Sequence, residues 1–595
     1  MNTLEIIAAF KKYKVVPVWE NNQLKLVGDT ASLPGAFIEE IRNNKQELIA
    51  FLSRTMDQTA NAPIPLVPAQ EHYPASNAQR RLWVLSQFDG GTSAYNILKN
   101  FYLKGRVVRE NLNRAFRLAV QRHESLRTVF REIDGELRQV VLPAMQFDID
   151  FEDISAVADK KVYLKTWASA SVAWKFDLAN GPLIKVVLLR IADDEYAMIF
   201  GMHHIVSDGW SIGVLVKEVM HCYEALCLGK ENSMPPVRVQ YKDYAHWLDQ
   251  RIEGSRGTHP RDFWMEQFTN MTDPLNLPTD IPRPGMKSFE GAVSRFQLEP
   301  DVYNSILAFC KTNQVTLFNF FRSALTVLLS KFSGQHDITM GTPVSGRNHF
   351  ELEGQIGLYV NTLPLRIAIN HNDTFSELLR NISENSYRSF EFQDYPLDKI
   401  IDNLHLKRDT SRSPLFDVMM VLQNTAVGDG SINLTRQHGF DLHPLDDYLY
   451  PAGRTSDEAL PAKFDLTFNF YNEPDNKFFV EIEYATTLFR KESINRFFRA
   501  FQRIIAQVLQ NPGIRTGNID ILDAAEREEI LYRFNRPVGE VAAISIPSLL
   551  EARLQSMGDA PAIICGDVVV SYNELRDRSD RIASCLTTVA GLQPG

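Results

Sequence analysis

Cysteine is scarce in this sequence, with five in 595 residues and no pair spaced as C-x-x-C. Zinc knuckles and disulfide frameworks both need characteristic cysteine spacings, so neither is predicted. No hydrophobic run approaches the ~20 apolar residues that a membrane span requires. The N-terminus carries Glu5 inside its short apolar stretch and lacks the layout of a signal peptide. We therefore expect a cytoplasmic protein in a reducing environment, with no place in a membrane.

An excess of positive charge is also missing. The net charge is −10, from 63 basic and 73 acidic residues. A nucleic-acid binder normally presents a basic face, so nucleic acid is not expected among the partners. The hydrophobic fraction of 44% and the charged fraction of 23% are those of an ordinary globular protein. A chain of this length predicts three or four domains.

The most informative stretch that is present reads MHHIVSDGWS, at positions 202–211. It follows an apolar run at 196–200 that predicts a strand. Neighbouring side chains of a strand point to opposite faces, so only one of His203 and His204 can face a given cavity. Gly209 is expected to allow a tight turn that a side chain would obstruct. The pattern predicts a strand-end histidine, presented as a base or hydrogen-bonding group in a loop held by a nearby carboxylate.

Two plainer explanations exist for this stretch. The histidine pair could be structural, or Asp208 could be a third metal ligand beside His203 and His204. Metal sites, however, more often space two histidines at helical or alternating intervals than side by side. A functional histidine is therefore the favoured interpretation, and no metal is predicted.

Six further segments, in order along the chain with this one, match a known family. The chain resembles the condensation domain of nonribosomal peptide synthetases over most of its length. HHxxxDG alone would also fit stand-alone acyltransferases, whereas seven ordered matches are far more specific. The seven segments are SNAQRRLW at 76–83, RHESLRTVF at 122–130, HHIVSDG at 203–209, YKDYAHW at 241–247, IGLYVNTL at 356–363, QDYP at 393–396 and RDTSRSPLFD at 408–417.

The predicted fold class is α/β (α+β), with a first lobe at 71–250 and a second, similar lobe at 251–522. The resemblance implies two chloramphenicol-acetyltransferase-like lobes in a V-shaped pseudo-dimer, with a tunnel through their junction. Apolar periodicity supplies the individual elements. Among them are helices at 77–87, 211–228 and 375–391, a strand at 337–344, and an antiparallel strand pair at 464–471 and 478–484.

Residues 1–54 are predicted to form a small N-terminal unit of αββα type. Two strands, 15–20 and 23–27, flank Asn21-Asn22 as in a hairpin, with an amphipathic helix on each side. Residues 55–70 form a linker rich in Pro, Ala, Asn and Gln. The arrangement resembles the N-terminal docking domains of synthetase subunits, which implies that residues 1–54 bind an upstream synthetase subunit. The alternative is a subdomain packed on the rest of the chain.

Residues 523–540 are predicted to be a second linker with a charged helix, and 541–595 to be the N-terminal fragment of an adenylation domain. The segment VSYNEL at 570–575 resembles the first motif of adenylation domains. Strands at 562–565 and 568–570 are predicted between two helices. Every nucleotide-binding part of such a domain would lie further along, so we expect a segment of a larger synthetase with no ATP chemistry of its own.

The resemblance implies one reaction. An acyl or peptidyl group arrives as a thioester on the 4′-phosphopantetheine arm of an upstream peptidyl carrier domain. The α-amine of an aminoacyl thioester on a downstream carrier attacks it, which gives an amide and a free thiol. No cofactor is expected to bind the chain directly. Bringing two tethered substrates together can be worth about 7–11 kcal/mol when they are well aligned.

The resemblance also assigns roles around the histidine pair. It places His204 in the tunnel, where the imidazole either takes the proton from the amine or hydrogen-bonds the amine and stabilises the tetrahedral intermediate. His203 is expected to pack and to hold the loop, while Gly209 supplies the turn. Asp208 is expected to form an ion pair with Arg127 that fixes the shape of the loop. A plain surface pairing is the alternative for Arg127.

Other candidate sites carry less weight. Asn361, Ser207 and Trp210 are weaker candidates for the tunnel wall, and Asn361 could equally be a strand-end cap. The stretch GTPVSGRN at 341–348 has the GxxxxG spacing of a phosphate loop. It lacks the following Lys-Ser/Thr, and Pro343 removes a backbone donor. It is therefore predicted to be an exit from a strand into a loop.

Three other functions fit the same central motif. Epimerisation of a carrier-bound residue would use His204 as a proton shuttle at Cα, but an epimerisation domain follows a carrier, whereas a docking unit precedes this domain. An intact HHxxxDG disfavours a noncatalytic recruitment platform. The docking unit disfavours acyl transfer from coenzyme A. A cyclising variant would carry an aspartate-rich motif in place of HHxxxDG, and the sequence has none.

Overall fold

A computed structural model describes most of the chain and shows a mixed α/β protein. The first predicted helix of the N-terminal unit, most of its second helix and the first half of the linker at 55–70 lie outside the described residues. The described residues are 15–20, 23–28, 33–35, 37–38, 41, 63–87, 91–230, 234–253, 258–271, 273–406, 409–423, 439–449, 459–473, 477–535 and 544–589.

The N-terminal strands, β1 Val15–Glu20 and β2 Gln23–Gly28, form an antiparallel pair. Glu20 lies opposite Gln23, so the chain reverses direction between them. This register confirms the predicted hairpin. Within the described part of the chain, the sheet has these two strands only.

The first lobe is built on strands in the order β4-β9-β8-β7, and β3, β6 and β5 form a separate small sheet. Strand β7 runs parallel to β8, and the other pairs in the larger sheet are antiparallel. The strands of this lobe are β3 Tyr73–Pro74, β4 Asn96–Gly105, β5 Thr128–Ile133, β6 Glu136–Val141, β7 Asp150–Asp153, β8 Ile184–Ala192 and β9 Glu195–His203. The helices are α1 Asn77–Ser86, α2 Gly91–Ala94, α3 Arg109–Arg122, α4 Lys160–Val172, α5 Gly209–Cys227 and α6 Tyr241–Glu253.

Strand β9 is buried on both faces, which explains why its sequence is a continuous apolar run and does not alternate. Met198 and Phe200 belong to the core that also contains side chains of α3 and α5. Ala197 and Ile199 belong to a second core that includes Leu164 of α4. The strand therefore runs through the middle of the lobe and delivers the histidine pair at its end.

The second lobe is built on a seven-stranded sheet with the order β12-β11-β13-β16-β17-β10-β15. Strands β16 and β17 are antiparallel over their whole length, which confirms the predicted pair. The strands of this half are β10 Glu290–Leu298, β11 Asp337–Val344, β12 Asn361–Ala368, β13 Val418–Gln423, β14 Phe440–Pro444, β15 Ala459–Pro461, β16 Leu466–Glu473 and β17 Lys477–Ala485. The helices are α7 Thr258–Gln267, α8 Pro300–Thr312, α9 Leu317–Ser333, α10 Phe375–Glu391, α11 Leu397–Leu404, α12 Leu445–Leu449 and α13 Lys491–Gln510.

Two segments of the second half cross into the first lobe. Strand β14 pairs with the outer edge of β4, with Leu442 opposite Leu103. Leu358 and Tyr359, which precede β12, are buried in the same core as α3 and α5. The two lobes therefore share both a sheet and a core, and position 250 divides them in sequence but not in space.

Residues 522–595 form a separate compact unit. Strands β18 and β19 are antiparallel, which confirms the strand pair predicted there. Ser571 begins the last helix with a capping box that includes Glu574. The elements are α14 Ala524–Glu528, a π-helical turn Glu529–Arg533, α15 Ile546–Met557, β18 Pro561–Cys565, β19 Val568–Ser571 and α16 Tyr572–Thr588.

The length and hydropathy of a helix decide whether it could span a membrane. Within the described ranges, no single helix is both long and apolar enough. Helices α8 and α9 reach that hydropathy only together, across a bend of 111°. Most of α9 is buried in the core of the second lobe.

The five cysteines are all free thiols.

Candidate active site

The histidine pair lies at the end of β9, a few residues before α5 begins. His203 is the last residue of the strand, and a 3-10 turn, His204–Val206, leads toward the helix. The backbone N–H of His203 donates to Leu183 O at 3.0 Å, and that of His204 donates to Tyr95 O at 2.9 Å. These acceptors immediately precede β8 and β4, so two neighbouring strands fix the main chain of the pair.

His203 is fully buried and serves to close the turn. Its Nδ1 accepts a hydrogen bond from Ile205 N at 3.2 Å, and its ring meets Phe176 edge-on at 6.3 Å. Burial, with smaller contributions from His204 and Lys463, lowers the pKa of His203 to about 3. The ring is therefore neutral at pH 7.

His204 is only partly buried, and one of its ring nitrogens is engaged. Its Nδ1 lies 2.7 Å from Ser207 O. A carbonyl only accepts, so Nδ1 carries the proton and Nε2 keeps a lone pair. Burial lowers the pKa of His204 to about 4, with help from the charge of Lys463 and against that of Asp208. The ring is neutral at pH 7 and offers Nε2 as an acceptor.

Asp208 is buried and caps the helix that follows the histidines. Its carboxylate accepts from Ser211 N at 2.8 Å, from Tyr359 N at 3.0 Å and from the Arg347 guanidinium at 3.1 Å. Both carboxylate oxygens are thus occupied by protein donors, which leaves Asp208 poorly placed to bind a metal. Nowhere in the described ranges do three His, Cys, Asp or Glu side chains group to hold a metal ion.

Arg347 is the ion-pair partner of Asp208, so the predicted pairing with Arg127 is wrong. Arg127 ends a 3-10 turn, where its guanidinium lies 3.8 Å from Glu124 and hydrogen-bonds Leu142 O. Its side chain is therefore held by local partners. No local sequence pattern links Arg347 to Asp208, because the two residues lie 139 positions apart.

The Arg347 guanidinium is held on several sides. One nitrogen donates to Gln355 O at 2.8 Å, the other donates to Ser211 Oγ at 2.8 Å, and the group lies 4.1 Å from the centre of the Tyr359 ring. Arg347 lies in the segment at 341–348 that was predicted to be a strand exit. Strand β11 ends at Val344, as predicted, and the loop that follows carries Arg347, the ion-pair partner of Asp208.

Two glycines beside this network differ in their constraints. Gly346 has a φ of +65°, and a Cβ built there would lie 1.9 Å from Tyr359 O, so a side chain is excluded. Gly209 has no positive φ, and a Cβ there would meet no described atom within 4 Å. The predicted steric need for a glycine at Gly209 is therefore wrong. Gly209 is the first residue of α5, behind its cap Asp208.

The family segments converge on the backbone at 356–363. Tyr241 OH donates to Leu358 O at 2.8 Å and lies 2.9 Å from Ser76 Oγ. Ser125 Oγ donates to Ile356 O at 2.7 Å. Through these bonds and the bond from Tyr359 N to Asp208, the first five segments form one connected assembly.

The three weaker tunnel candidates all have structural contacts. The Asn361 amide donates to Gln393 O and Tyr395 O, each at 2.8 Å, so it anchors the sixth segment as a strand-end cap would. Trp210 Nε1 donates to Glu353 O at 2.8 Å. Ser207 is buried, and its carbonyl holds His204. These contacts give each of the three residues a structural role that does not require a bound substrate.

A cleft of about 420 Å³ lies beside this assembly, lined by both lobes. Trp247 and Leu248 contribute from the first lobe, and Tyr387 and Asp394 from the second. An adjoining pocket shares Asp394 and extends to Tyr359, the residue whose backbone binds Asp208. The cleft and the adjoining pocket therefore reach Tyr359, one of the residues that hold Asp208 in place.

Comparison with known proteins agrees with the seven segments. A family model described as the condensation domain matches residues 69–531. Tyrocidine synthase 3 of Brevibacillus parabrevis is 33% identical over 543 residues, which are 91% of this chain and 8% of that protein. Bacitracin synthase 2 of Bacillus licheniformis is 31% identical over 590 residues, 98% of this chain and 21% of that protein. The chain thus spans only a small part of these relatives.

Solved structures show the same fold. The X-domain from teicoplanin biosynthesis, solved as a complex with OxyB, has a TM-score of 0.68 at 21% identity and covers 78% of this chain and 99% of its own. The four-domain nonribosomal peptide synthetase AB3403 has a TM-score of 0.67 at 21% identity, covering 90% of this chain and 40% of its own. Together with the family model, these relatives confirm the predicted resemblance: this chain belongs to the condensation domain family of nonribosomal peptide synthetases.

Proposed function

We propose that this chain joins a carrier-bound acyl or peptidyl thioester to the α-amine of a second carrier-bound amino acid. The observation that carries the proposal is the state of His204. Its Nδ1 is engaged by Ser207 O, which leaves Nε2 as an acceptor. The buried pair of Asp208 and Arg347 holds the loop that presents it. Family membership supplies the reaction class, and this geometry supplies a group able to meet the amine.

In the proposed reaction the amine nitrogen attacks the thioester carbonyl carbon. The C–N bond forms first and gives a tetrahedral intermediate; the C–S bond breaks when that intermediate collapses, and the thiolate receives the proton that the amine loses. His204 Nε2 accepts a hydrogen bond from the attacking amine and orients its lone pair. A base works best when its pKa lies near the working pH, and the pKa of His204 is lowered to about 4. We therefore propose that His204 orients the amine and stabilises the intermediate, in preference to acting as a general base that removes the proton completely.

The proposed partners are an upstream and a downstream peptidyl carrier domain, each bearing a 4′-phosphopantetheine arm. We assign the approach of one arm to the cleft beside Trp247 and Asp394, since the adjoining pocket reaches Tyr359. The free thiols of all five cysteines agree with work in the reducing cytoplasm.

Residues 1–54 are proposed to dock an upstream synthetase subunit. The hairpin β1–β2 supports this role, because strand pairs with open edges can accept a further strand from a partner. The outer edge of β2, next to Leu24 and Leu26, is the proposed place of addition. The linker at 55–70 would then act as the tether.

The test mixes this chain with a loaded donor carrier and a loaded acceptor carrier, and follows both by intact mass. Transfer of the donor acyl mass onto the acceptor carrier is expected, and His204→Ala should slow it strongly. His221→Ala is the matched control, because His221 is an exposed histidine on α5, the helix that follows the turn carrying His204. Transfer at the wild-type rate by His204→Ala would remove His204 from the chemistry.

Recruitment of another protein is the second candidate function, favoured by the fold shared with the X-domain solved in complex with OxyB. The same mixture separates it from condensation, since a recruitment platform would leave both carrier masses unchanged. Epimerisation would invert the carrier-bound residue without moving mass, which chiral analysis of the released acid detects. Acyl transfer from coenzyme A would proceed without the donor carrier.

A further inference from the structure

We propose that the Lys463 ammonium binds the donor thioester carbonyl and stabilises the oxyanion that forms there. This inference rests on the proposed condensation function and adds a second catalytic residue to it. Lys463 comes from the second lobe, in the short segment between β15 and β16. His204 comes from the first lobe, so each lobe would supply one side of the reacting centre.

Lys463 reaches the histidine through Tyr95. Its ammonium lies 4.9 Å from the centre of the Tyr95 ring. The carbonyl of the same tyrosine accepts the backbone N–H of His204 at 2.9 Å. On the other side, the backbone N–H of Lys463 donates to Glu483 Oε1 at 3.3 Å, which ties the segment to β17. The side chain is therefore anchored at its base, and its ammonium lies against the ring of the residue whose carbonyl holds the backbone of His204.

The ammonium has no hydrogen-bond acceptor among the described residues, although the side chain is partly buried. Lys331, another partly buried lysine, donates its Nζ to Gly517 O at 2.6 Å. The neighbouring cation Arg81 lies 3.6 Å from Asp398. Three ammonium donors without an acceptor are costly away from bulk water, so the group is suited to receive an oxygen of a ligand.

The charges around Lys463 are consistent with a position close to the reaction. Its positive charge contributes to the lowered pKa of both His203 and His204. Burial lowers the pKa of Lys463 itself, with Arg81 acting in the same direction and Glu483 against it. These are the charged groups that act on the ammonium from the elements around it. Glu483 opposes that lowering and favours the charged form, which is the stronger donor to an oxyanion.

As the amine attacks, the carbonyl π electrons move to oxygen, and a Lys463 N–H donates to that oxygen. When the intermediate collapses, the carbonyl reforms and the C–S bond breaks. The departing thiolate takes the proton released by the amine, while Lys463 keeps all three of its protons. A fixed donor aimed at a developing oxyanion is a general means of lowering the barrier to acyl transfer.

The test uses the full chain with both loaded carriers and compares Lys463→Met, Lys463→Arg and the control Lys331→Met. Loss of one oxyanion donor typically lowers kcat by about 100- to 1000-fold. Lys463→Met should show a loss of that order with the KM for each carrier little changed. Lys463→Arg should recover much of kcat, because it keeps a charged donor. Lys331→Met should keep the wild-type kcat.

Three outcomes would overturn the inference. One is a wild-type kcat in Lys463→Met, and another is a change confined to KM. The third is an equal loss in the Met and Arg variants with a lowered Tm in both, which would make Lys463 a packing residue. If Lys463→Met folds poorly, the double variant Lys463→Met with Glu483→Gln removes both charges and should show the same loss in kcat. Failure of the wild-type chain to condense would instead refute the proposed function.

Discussion

The Asp208 carboxylate and the Arg347 guanidinium form a buried ion pair at 3.1 Å that joins the two lobes. Asp208 caps the helix that follows the histidines, and Arg347 lies in the loop after β11. The position of His204 in the first lobe therefore depends on a side chain from the second. Any loss of this pair should disturb the histidine loop as well as the stability of the fold.

The first prediction is a large and non-additive loss of stability when the pair is broken. Arg347→Met or Asp208→Asn alone leaves one buried polar or charged group without its partner, which for a buried pair typically costs about 3–5 kcal/mol. The double variant should lose less than the sum of the two. Urea unfolding of the three variants measures this. Arg127→Met is the control and should cost clearly less; an equal cost would restore Arg127 as a comparable anchor.

The second prediction contrasts two glycines. Gly346→Ala should lower Tm strongly, because its Cβ would collide with Tyr359 O and displace Arg347. Gly209→Ala should leave Tm unchanged or slightly higher, since alanine is a better helix former than glycine and has room there. Differential scanning calorimetry of both variants provides the comparison. Similar losses in the two would contradict the geometry described for Gly209.

The third prediction is acid sensitivity from the histidine pair. The folded-state pKa values of His203 and His204, about 3 and about 4, lie below the ordinary value of 6.5. Below pH 6.5 the unfolded chain therefore binds more protons at these two histidines than the folded chain does. Their contribution to the free energy of unfolding should fall from pH 6.5 toward pH 4 and stay level above pH 6.5. His203→Gln should reduce the slope in that range by up to about 1.4 kcal/mol per pH unit. Urea unfolding from pH 7.5 to pH 4.5 measures both slopes, and identical slopes would argue against a buried neutral His203.

The fourth prediction concerns the N-terminal unit. Deletion of residues 1–54 should leave the saturated rate of condensation nearly unchanged, because His204 and its supports lie farther along the chain. It should raise the apparent KM for the upstream carrier, since docking raises the local concentration of a tethered donor to about the millimolar range. Steady-state kinetics with a carrier fused to its natural tail tests this. An unchanged KM, with no binding of a tail peptide to the full chain, would reduce the segment to a structural cap.

Elements set by local sequence were predictable. Strand β11 and helix α10 have the predicted bounds, because their apolar patterns are regular and their ends carry clear stop or cap residues. Helix α5 begins two residues before the predicted start at Ser211, because Asp208 caps it. The conclusion that HHxxxDG ends a strand followed the same local logic.

Contacts between distant segments were not predictable from one sequence. Arg347 pairs with Asp208 only because the chain brings β11 beside α5, and nothing near Arg347 signals this. Strand β14 is five residues long, and its partner β4 lies more than 300 positions earlier. The prediction for Gly209 was wrong because the presence of a glycine in a motif does not show whether a side chain at that position would clash.

The crossing of β14 has a consequence for recombining related synthetases. A chimera joined near residue 250 would give the first lobe of one parent an edge strand from the other. Mismatched side chains at Leu103 and Leu442 would then weaken the pairing and leave the β4 edge open to other chains, a known route to aggregation. Chimeras that exchange residues 439–449 together with the first lobe would keep the native pairing of β4 with β14. The natural unit of exchange is therefore discontinuous in sequence.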